Sequence, residues 1–273
     1  MSNAKPSAVK DMYDIAVNTD DSIIVLGSSR AMHHYDSRIM EDSLQMSCQN
    51  CGAMSNGIVL MYGRYKLLTR HHTPKMIVYD LHPPFDLAVG DNSKYIPTLR
   101  PWAEDENLKE LFDAVDRWEN LKLKCNLYRF NSLVPEILAV NFREIGGLYK
   151  GYAPLYSIKE FTPPSHSTTT DRRDTIKLDT LKFFLLKELV SDCKERGIEL
   201  IFVISPSYQK NLTEQALPII ELCKETNTPI LLYENGIVPL EAKYFYDSAH
   251  LNDEGAKLFT KKLVSDLKNI KSR

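Results

Sequence analysis

Short apolar runs alternate along the chain with segments in which apolar residues recur every three to four positions. The runs are typical of buried strands, and the recurring positions are typical of amphipathic helices. The predicted strands cover residues 22–26, 44–48, 76–81, 198–204 and 229–233, and the clearest predicted helices cover residues 57–68, 179–196, 211–226 and 253–270. This alternation favours right-handed βαβ units. The sequence therefore predicts an α/β fold, with a doubly wound parallel five-stranded sheet of the flavodoxin-like three-layer type.

A long interruption separates the third predicted strand from the fourth, with a helical region near residues 106–145 and a polar stretch near residues 146–175. Connections in such folds usually take about 2–6 residues, so we interpret it as an insertion. We expect one domain over residues 1–273, with the insertion at about 86–175 forming either a lid that contacts substrate or a surface addition. The aromatic residues there that could stack on a sugar ring, or pack internally, are Tyr95, Trp102, Trp118, Tyr149 and Tyr152.

The charged residues are nearly balanced, with 34 Lys and Arg against 36 Asp and Glu in 273 residues. The net charge of −2 offers no general attraction for nucleic acid, which binds through clustered basic side chains. Apolar stretches are far shorter than the roughly 18 residues that suggest a membrane span. Residues 1–4 resemble a cloning remnant, so an upstream signal or membrane anchor stays open, and with it a location in the cell envelope, periplasm or extracellular space.

The cysteines and the histidine pairs do not form the pattern of a metal site. Five cysteines include one C-x-x-C, at Cys48 and Cys51, with no second pair to complete a tetrahedral zinc site. We interpret these two as a strand residue and a loop residue, and a disulfide or redox pair is the alternative. The adjacent histidines at 33–34 and 71–72 lack the i, i+4 spacing of a zinc helix and are interpreted as surface pairs. No metal or cofactor is predicted.

Polar residues directly after the predicted strands are candidates for chemistry, because ligands of an open parallel sheet bind outside the carboxyl ends of its strands. The first such sequence is Gly27-Ser28-Ser29-Arg30. Glycine permits a sharp turn, and a serine at the head of the next helix lies near free backbone N–H groups that could hold an oxyanion. Three interpretations stay open: a nucleophilic serine, a serine that only caps the helix, and an anion nest assisted by Arg30.

A second candidate lies between the fifth predicted strand and the last predicted helix. Asp247 and His250 are three residues apart on a loop and can point the same way. The carboxylate would then fix the imidazole tautomer, and the other ring nitrogen would serve as a general base. The loop lies at the same end of the sheet as the serine turn, which favours a catalytic role over a purely structural hydrogen bond.

Together these sequences resemble the SGNH, or GDSL-type, hydrolase superfamily. Residues 24–30 are similar to its first block, a strand followed by Gly-Asp-Ser, with Ser28 in the Asp place and Ser29 in the nucleophile place. Residues 247–256 are similar to its D-x-x-H-L-N-x-x-G-x ending. The resemblance covers both ends of the predicted α/β core, approximately residues 22–82 and 198–270.

Two further blocks of the superfamily concern the oxyanion hole. The second, Asn-x-Gly, resembles the Asn-Cys-Gly that ends at Gly52, and it implies that the Gly52 N–H joins the Ser29 N–H as a donor. The third, G-x-N-D, is absent, because Tyr-Asp-Leu-His-Pro-Pro follows the third strand instead. The asparagine donor therefore has no direct match, and His82 and Asn56 are the candidates to replace it.

The resemblance implies that Ser29 attacks an ester carbonyl while His250 moves the proton and Asp247 orients His250. We therefore predict a serine esterase that removes a short acyl group, in the first place acetyl, from a carbohydrate or related ester. The alternatives are an O-acyltransferase with the same triad and a non-catalytic SGNH-like binding or assembly protein. The GSSR form of the first block resembles envelope-associated members that act on acylated polysaccharides or transfer acyl groups. The expected partner is a small-molecule or glycan ester, with Arg30 as a candidate substrate contact.

Overall fold

The computed structural model describes residues 8–131, 149–156, 176–208, 211–233 and 241–271. Its strands are β1 (Ile23–Gly27), β2 (Cys48–Asn50), β3 (Met76–Asp80), β4 (Glu199–Ile204) and β5 (Ile230–Leu232). They form one parallel sheet in the order β2-β1-β3-β4-β5. This is the flavodoxin-like strand order, so the predicted α/β fold with a parallel five-stranded sheet is confirmed.

Helices connect the strands and pack on both faces of the sheet. In chain order the described helices are α1 (Ala8–Val17), α2 (Ser29–His34), α3 (Ser37–Leu44), α4 (Ile58–Leu68), α5 (Pro83–Asp86), α6 (Glu106–Val115), α7 (Glu119–Lys122), α8 (Asn126–Asn131), α9 (Thr180–Glu195), α10 (Leu212–Gln215), α11 (Leu217–Thr226) and α12 (Asp253–Lys271). Single 3₁₀ turns lie at Asn92–Tyr95, Arg100–Trp102 and Ala242–Tyr244. None of these helices combines the length and the apolar composition needed to cross a bilayer.

Alternate residues of the strands face opposite layers. Ile24 and Leu26 of β1 belong to the core with α1, α4 and α9, whereas Ile23 and Val25 belong to the core with α2, α3 and α12. This follows from the two-residue period of a strand. Because both faces are covered, the strands are almost continuously apolar, as is typical of buried parallel sheets.

Two predicted element boundaries are wrong. The second strand is β2 at Cys48–Asn50 and does not begin at residue 44, because Ser37–Leu44 forms α3. The side chain of Asp36 caps that helix by accepting from the Arg38 N–H at 3.0 Å. The helix predicted over 211–226 is split at Ala216, because Pro218 lacks a backbone N–H and cannot continue it.

The described part of the predicted insertion consists of short helices, two 3₁₀ turns and a segment at 149–156. The turns pack on α4, where Leu99 lies so close to Gly63 that a Cβ there would be 2.4 Å from Leu99 Cδ1. The segment at 149–156 runs beside α2, and the Ala153 N–H donates to Met32 O at 3.0 Å. Residues 157–175 of the polar stretch predicted near 146–175, and residues 132–145 of the helical region predicted near 106–145, lie outside the described residues.

The aromatic residues of the insertion mostly pack internally. Tyr95 and Tyr152 are buried, and Trp102 packs against the core. Tyr149 donates its hydroxyl to Glu41 at 2.9 Å, which fixes that ring beside α3. Trp118 is 53% exposed, so it is the residue of this set most open to solvent.

The five cysteines are free thiols in this structure, and Cys48 and Cys51 form no disulfide there. Cys48 begins β2, Cys51 follows it, and both are buried. Burial raises the pKa of Cys51 to about 12 and raises that of Cys48 further, so neither is a reactive thiolate. Their predicted place in a strand and a loop is confirmed.

Candidate active site

The loop after β1 begins with a residue that must be glycine. Gly27 has a φ of +143°, a backbone conformation that side chains with a Cβ rarely adopt. A Cβ there would also lie 2.7 Å from Asp80 O at the end of β3. The turn that starts α2 can therefore pass directly over the carboxyl end of β3, at the point where the strand order reverses.

The two serines after Gly27 make different contacts. Ser28 is fully buried and caps α2, since its Oγ accepts from the Arg30 N–H at 3.3 Å. Ser29 is the first residue of α2, so its own N–H has no intrahelical acceptor. Its Oγ lies 2.8 Å from His250 Nε2. Capping is thus the task of Ser28, and the Ser29 hydroxyl is left to face the histidine.

His250 lies between Ser29 and Asp247. Its Nδ1 is 2.9 Å from each carboxylate oxygen of Asp247. Asp247 Oδ1 also accepts from the Ala249 N–H at 2.8 Å and from the His250 N–H at 2.9 Å. Burial favours a neutral Asp247, but these hydrogen bonds outweigh it and hold the pKa of Asp247 below its usual value. The structure therefore brings the three predicted residues together, with an ionised carboxylate at the far end.

His34 holds the loop that carries His250, contrary to the prediction of a surface residue. It is fully buried, and its Nε2 accepts from the Leu251 N–H at 2.9 Å. The proton must therefore be on Nδ1, which lies 2.9 Å from Ser205 Oγ. Burial, reinforced by the charge of Arg30, lowers the pKa of His34 well below its usual value, so the ring is neutral.

Arg30 does not lie where it could contact a substrate. Its side chain is fully buried, and it donates to Ser205 Oγ from Nε at 3.1 Å and from Nη2 at 2.8 Å. Its Nε also lies 3.5 Å from Asp80 Oδ2. The side chain points into the core beneath Ser29 because α2 turns it away from the site edge. The predicted substrate contact is therefore replaced by a structural role.

The residues predicted for the oxyanion hole are only partly placed for that task. Gly52 packs against the first turn of α2, where a Cβ would lie 2.5 Å from Met32 N. Its N–H, however, donates to Asn50 Oδ1 at 3.0 Å. Asn56 donates to Met54 O at 2.7 Å, and His82 is buried beside Phe85 with ring centroids 5.0 Å apart.

A cavity of about 450 Å³ is connected to the candidate triad through His33, and Ser29, Asp247 and His250 are not among its lining residues. Its walls include Met32 and His33 of α2, and the His33 ring centroid is 5.5 Å from that of His250. The lining is mainly apolar and also includes Gly52, Asn56, Leu60, Tyr95 and Pro97. Tyr95 and Pro97 come from the predicted insertion, which therefore contributes to this cavity. A mainly apolar cavity with a few polar groups is typical of small-molecule sites.

Sequence reasoning missed His33 and Ala153 as neighbours of this site. His33 is 7% exposed and its Nδ1 lies 2.6 Å from Ala153 O, on the segment at 149–156. One signal was present, since His33 is four residues after Ser29 and so lies on the same face of α2. Nothing in the sequence pattern links it to Ala153, which is 120 positions away.

Comparison with known proteins gives likenesses to solved structures only. No family model and no curated protein matches the chain. Among solved structures, 23 chains match. One is described as a lipolytic protein of the G-D-S-L family from Desulfitobacterium hafniense, with 13% identity over 89% of this chain and 98% of that chain and a TM-score of 0.40.

A second is a carbohydrate esterase whose active site is described as displaying divergent catalytic and non-catalytic binding functions. It shares 12% identity over 90% of this chain and has a TM-score of 0.42. The match spans 64% of that protein's chain. At such identity these likenesses concern the fold and do not assign an activity to this chain.

Proposed function

We propose that this chain is a serine hydrolase of carboxylic esters. The observation that carries the proposal is the unbroken series of hydrogen bonds from Ser29 Oγ through His250 to Asp247. In this arrangement Nε2 of the imidazole faces the hydroxyl while Nδ1 faces the carboxylate. A general base needs this orientation to activate a serine.

The proposed reaction has two halves. In the first, Ser29 Oγ adds to the ester carbonyl as its proton passes to His250 Nε2. The carbon–oxygen bond to the alcohol then breaks, and His250 returns the proton to the departing alcohol oxygen. In the second, water adds to the acyl carbon and gives a proton to His250, which passes it to Ser29 as the acid leaves. Asp247 stays ionised throughout and stabilises the imidazolium.

We propose the Ser29 N–H and the Gly52 N–H as donors to the oxyanion of both tetrahedral intermediates. The Ser29 N–H is supported by its place at the first position of α2. The Gly52 N–H would have to release or share Asn50 Oδ1, its present acceptor. Asn56 and His82 stay as candidates for a third donor, and substrate binding would have to bring either one closer to the carbonyl.

For the substrate, we propose a short acyl group, with acetyl first, on a carbohydrate or related ester. The cavity of about 450 Å³ supports a small substrate, because its lining is mainly apolar and includes His33, whose ring contacts that of His250. The GSSR block also resembles that of enzymes that act on acylated polysaccharides, which supports the same class of substrate. If a sugar hydroxyl replaces water in the second half, the same acyl-serine gives acyl transfer.

The first test is covalent labelling of the nucleophile. We expect a fluorophosphonate probe to add one phosphonyl group to the wild-type chain, seen by intact mass, and none to Ser29→Ala. Ser43→Ala, which changes a serine of α3 outside the site, is the matched control and should label like the wild type. The wild type and Ser43→Ala should also hydrolyse p-nitrophenyl acetate, and Ser29→Ala should not.

Two results would contradict the proposal. The first is labelling of Ser29→Ala to the wild-type extent, which would mean that another residue is the nucleophile. The second is a folded wild type that neither labels nor turns over p-nitrophenyl acetate, which would favour the non-catalytic binding protein. If labelling succeeds, the ratio of acetate to monoacetylglycerol formed in the presence of glycerol distinguishes hydrolysis from transfer.

A further inference from the structure

His33 is a second histidine at the candidate active site, and the triad does not use it. It lies in the last turn of α2, four residues after Ser29, and only 7% of it is exposed. Its ring meets that of His250 edge to face, with centroids 5.5 Å apart and planes at 86°. It also lines the cavity of about 450 Å³. His33 therefore contacts the proposed base and also lines this cavity.

The tautomer of His33 follows from its neighbour on the segment at 149–156. Its Nδ1 lies 2.6 Å from Ala153 O, and a carbonyl oxygen can only accept, so Nδ1 carries a proton. Burial lowers the pKa of His33, so the ring is neutral at ordinary pH. Nε2 then holds a lone pair. No donor among the described residues forms a hydrogen bond with this nitrogen, in contrast to both nitrogens of His34.

The proposed reaction decides which half of the substrate lies against His33. His250 must give its proton to the departing alcohol oxygen, so the alcohol half lies against the His250 ring. His33 is the cavity residue whose ring contacts that ring. An acetyl group has no hydrogen to donate, whereas the hydroxyl of a polyol does. A lone pair at this place therefore suits a free hydroxyl of the alcohol half.

We propose that His33 is a specificity-determining residue whose Nε2 accepts a hydrogen bond from a free hydroxyl beside the acylated oxygen. The preferred substrates are then partly acylated polyols, sugars among them, and not esters of simple alcohols. This inference rests on the proposed esterase function. It names the alcohol half of the substrate, which the triad leaves undefined, and it gives a task to the segment at 149–156, which sets the His33 tautomer through Ala153.

Two acetate esters with the same three-carbon alcohol chain test this inference. One is 1-monoacetylglycerol, which has a hydroxyl next to the acylated oxygen, and the other is propyl acetate, which has none. The loss of one neutral hydrogen bond is worth about a five- to tenfold change in kcat/KM. We expect the wild type to prefer monoacetylglycerol by that factor. The preference should appear mainly in KM, because the hydrogen bond is made in both the ground state and the transition state.

The variant His33→Asn removes the acceptor and keeps the anchor, because the asparagine amide overlies Nδ1 and can still donate to Ala153 O. We expect the ratio of its kcat/KM values for monoacetylglycerol and propyl acetate to fall to about one. His33→Phe, which fills the same volume without polar atoms, should do the same. The matched control is His71→Asn, which changes an exposed histidine and should keep the preference.

Three outcomes would overturn the inference. A wild type that hydrolyses both esters equally shows no recognition of the hydroxyl, although the esterase function stands. Variants that lose activity on both esters by the same factor show that His33 only supports the fold of the site. A wild type that hydrolyses neither ester and does not react with the fluorophosphonate removes the proposed function itself, and the inference with it.

Discussion

Asp247 accepts hydrogen bonds from the backbone as well as facing the His250 ring. Its Oδ1 accepts from two backbone N–H groups, those of Ala249 and His250, in addition to facing the ring. These two backbone hydrogen bonds hold Oδ1 in one place and so fix the orientation of the carboxylate group. The remaining oxygen, Oδ2, lies 2.9 Å from His250 Nδ1. The loop therefore sets the tautomer of His250 by holding one oxygen of its partner in place.

Replacing this carboxylate with an amide should reverse the tautomer. In Asp247→Asn the two backbone N–H groups retain the amide oxygen, so the NH₂ group takes the place of Oδ2 and donates to His250 Nδ1. Nε2 must then carry the proton and cannot accept the one from Ser29. We expect the rate of p-nitrophenyl acetate hydrolysis to fall by roughly 10³–10⁴-fold with little change in unfolding midpoint.

The control for this variant is Asp20→Asn, which changes an exposed aspartate and should retain full activity. A fall of less than about tenfold in Asp247→Asn would show that the tautomer of His250 does not depend on this carboxylate. Circular dichroism of the variant separates a chemical effect from a loss of fold.

Residues whose role depends on a local sequence signal can be predicted, whereas residues whose role depends on distant partners cannot. Ser29, Asp247 and His250 could be predicted because each lies at a strand end or in a short local motif. The burial of His34 could not, because its partners Ser205 and Leu251 are 171 and 217 positions away. Local spacing describes which face of a helix a residue lies on, but only the packed fold decides what covers that face.

At the scale of elements, the strands buried on both faces were the easiest to predict and the edges were the hardest. The apolar runs of β1, β3 and β4 are long enough to stand out, and their predicted positions agree with the structure within about two residues. The edge strand β2 has only three residues, and the apolar Leu44 ends the helix before it, so the sequence pattern places the start of this strand too early. The amphipathic helix α1 was not predicted, although Met12, Ile15 and Ala16 reach the core.

The turn after β2 depends on the close approach of Gly52 to α2. A Cβ at Gly52 would lie 2.5 Å from Met32 N and 3.0 Å from Ser28 O, both of which are backbone atoms that cannot move aside cheaply. We expect Gly52→Ala to lower the free energy of unfolding by about 1–3 kcal/mol, because the turn and α2 must separate. Esterase activity should fall with it, since the separation moves Ser29.

The control at this scale is Gly90→Ala, where a Cβ would meet no atom within 4 Å. Urea unfolding should give it the wild-type free energy within about 0.5 kcal/mol. If Gly52→Ala is equally neutral, the contact between the turn and α2 is looser than the structure indicates, and Gly52 is then a weaker candidate for the oxyanion hole.

Across the whole molecule, a buried polar network ties the carboxyl ends of the central strands together. Asp80, the last residue of β3, accepts from Tyr35 OH at 2.7 Å and from the Ser205 N–H at 3.2 Å. Arg30, which follows β1, lies against both Asp80 and Ser205. The network therefore forms the floor beneath Ser29, and it joins segments that are far apart in the chain.

Removing one partner of the buried pair between Arg30 and Asp80 should lower the free energy of unfolding by more than the pair itself contributes, because the other partner stays buried. In Arg30→Met the Asp80 carboxylate stays fully buried without its counter-charge. We expect the free energy of urea unfolding to fall by about 3–5 kcal/mol. The matched control is Arg38→Met, which changes an exposed arginine that stacks on Tyr149 and should cost less than about 1 kcal/mol.

Adding Asp80→Asn to Arg30→Met shows whether the loss of stability comes from the unpaired charge of Asp80 or from the lost hydrogen bonds of Arg30. If the buried charge is the cause, the double variant no longer holds an unpaired carboxylate. Its loss of unfolding free energy should then be smaller than the sum of the two single losses by more than about 1 kcal/mol. Losses that simply add would instead assign the effect of Arg30→Met to its hydrogen bonds with Ser205. The floor of the site would in that case be held by neutral contacts, and Asp80 would serve mainly as the acceptor for Tyr35.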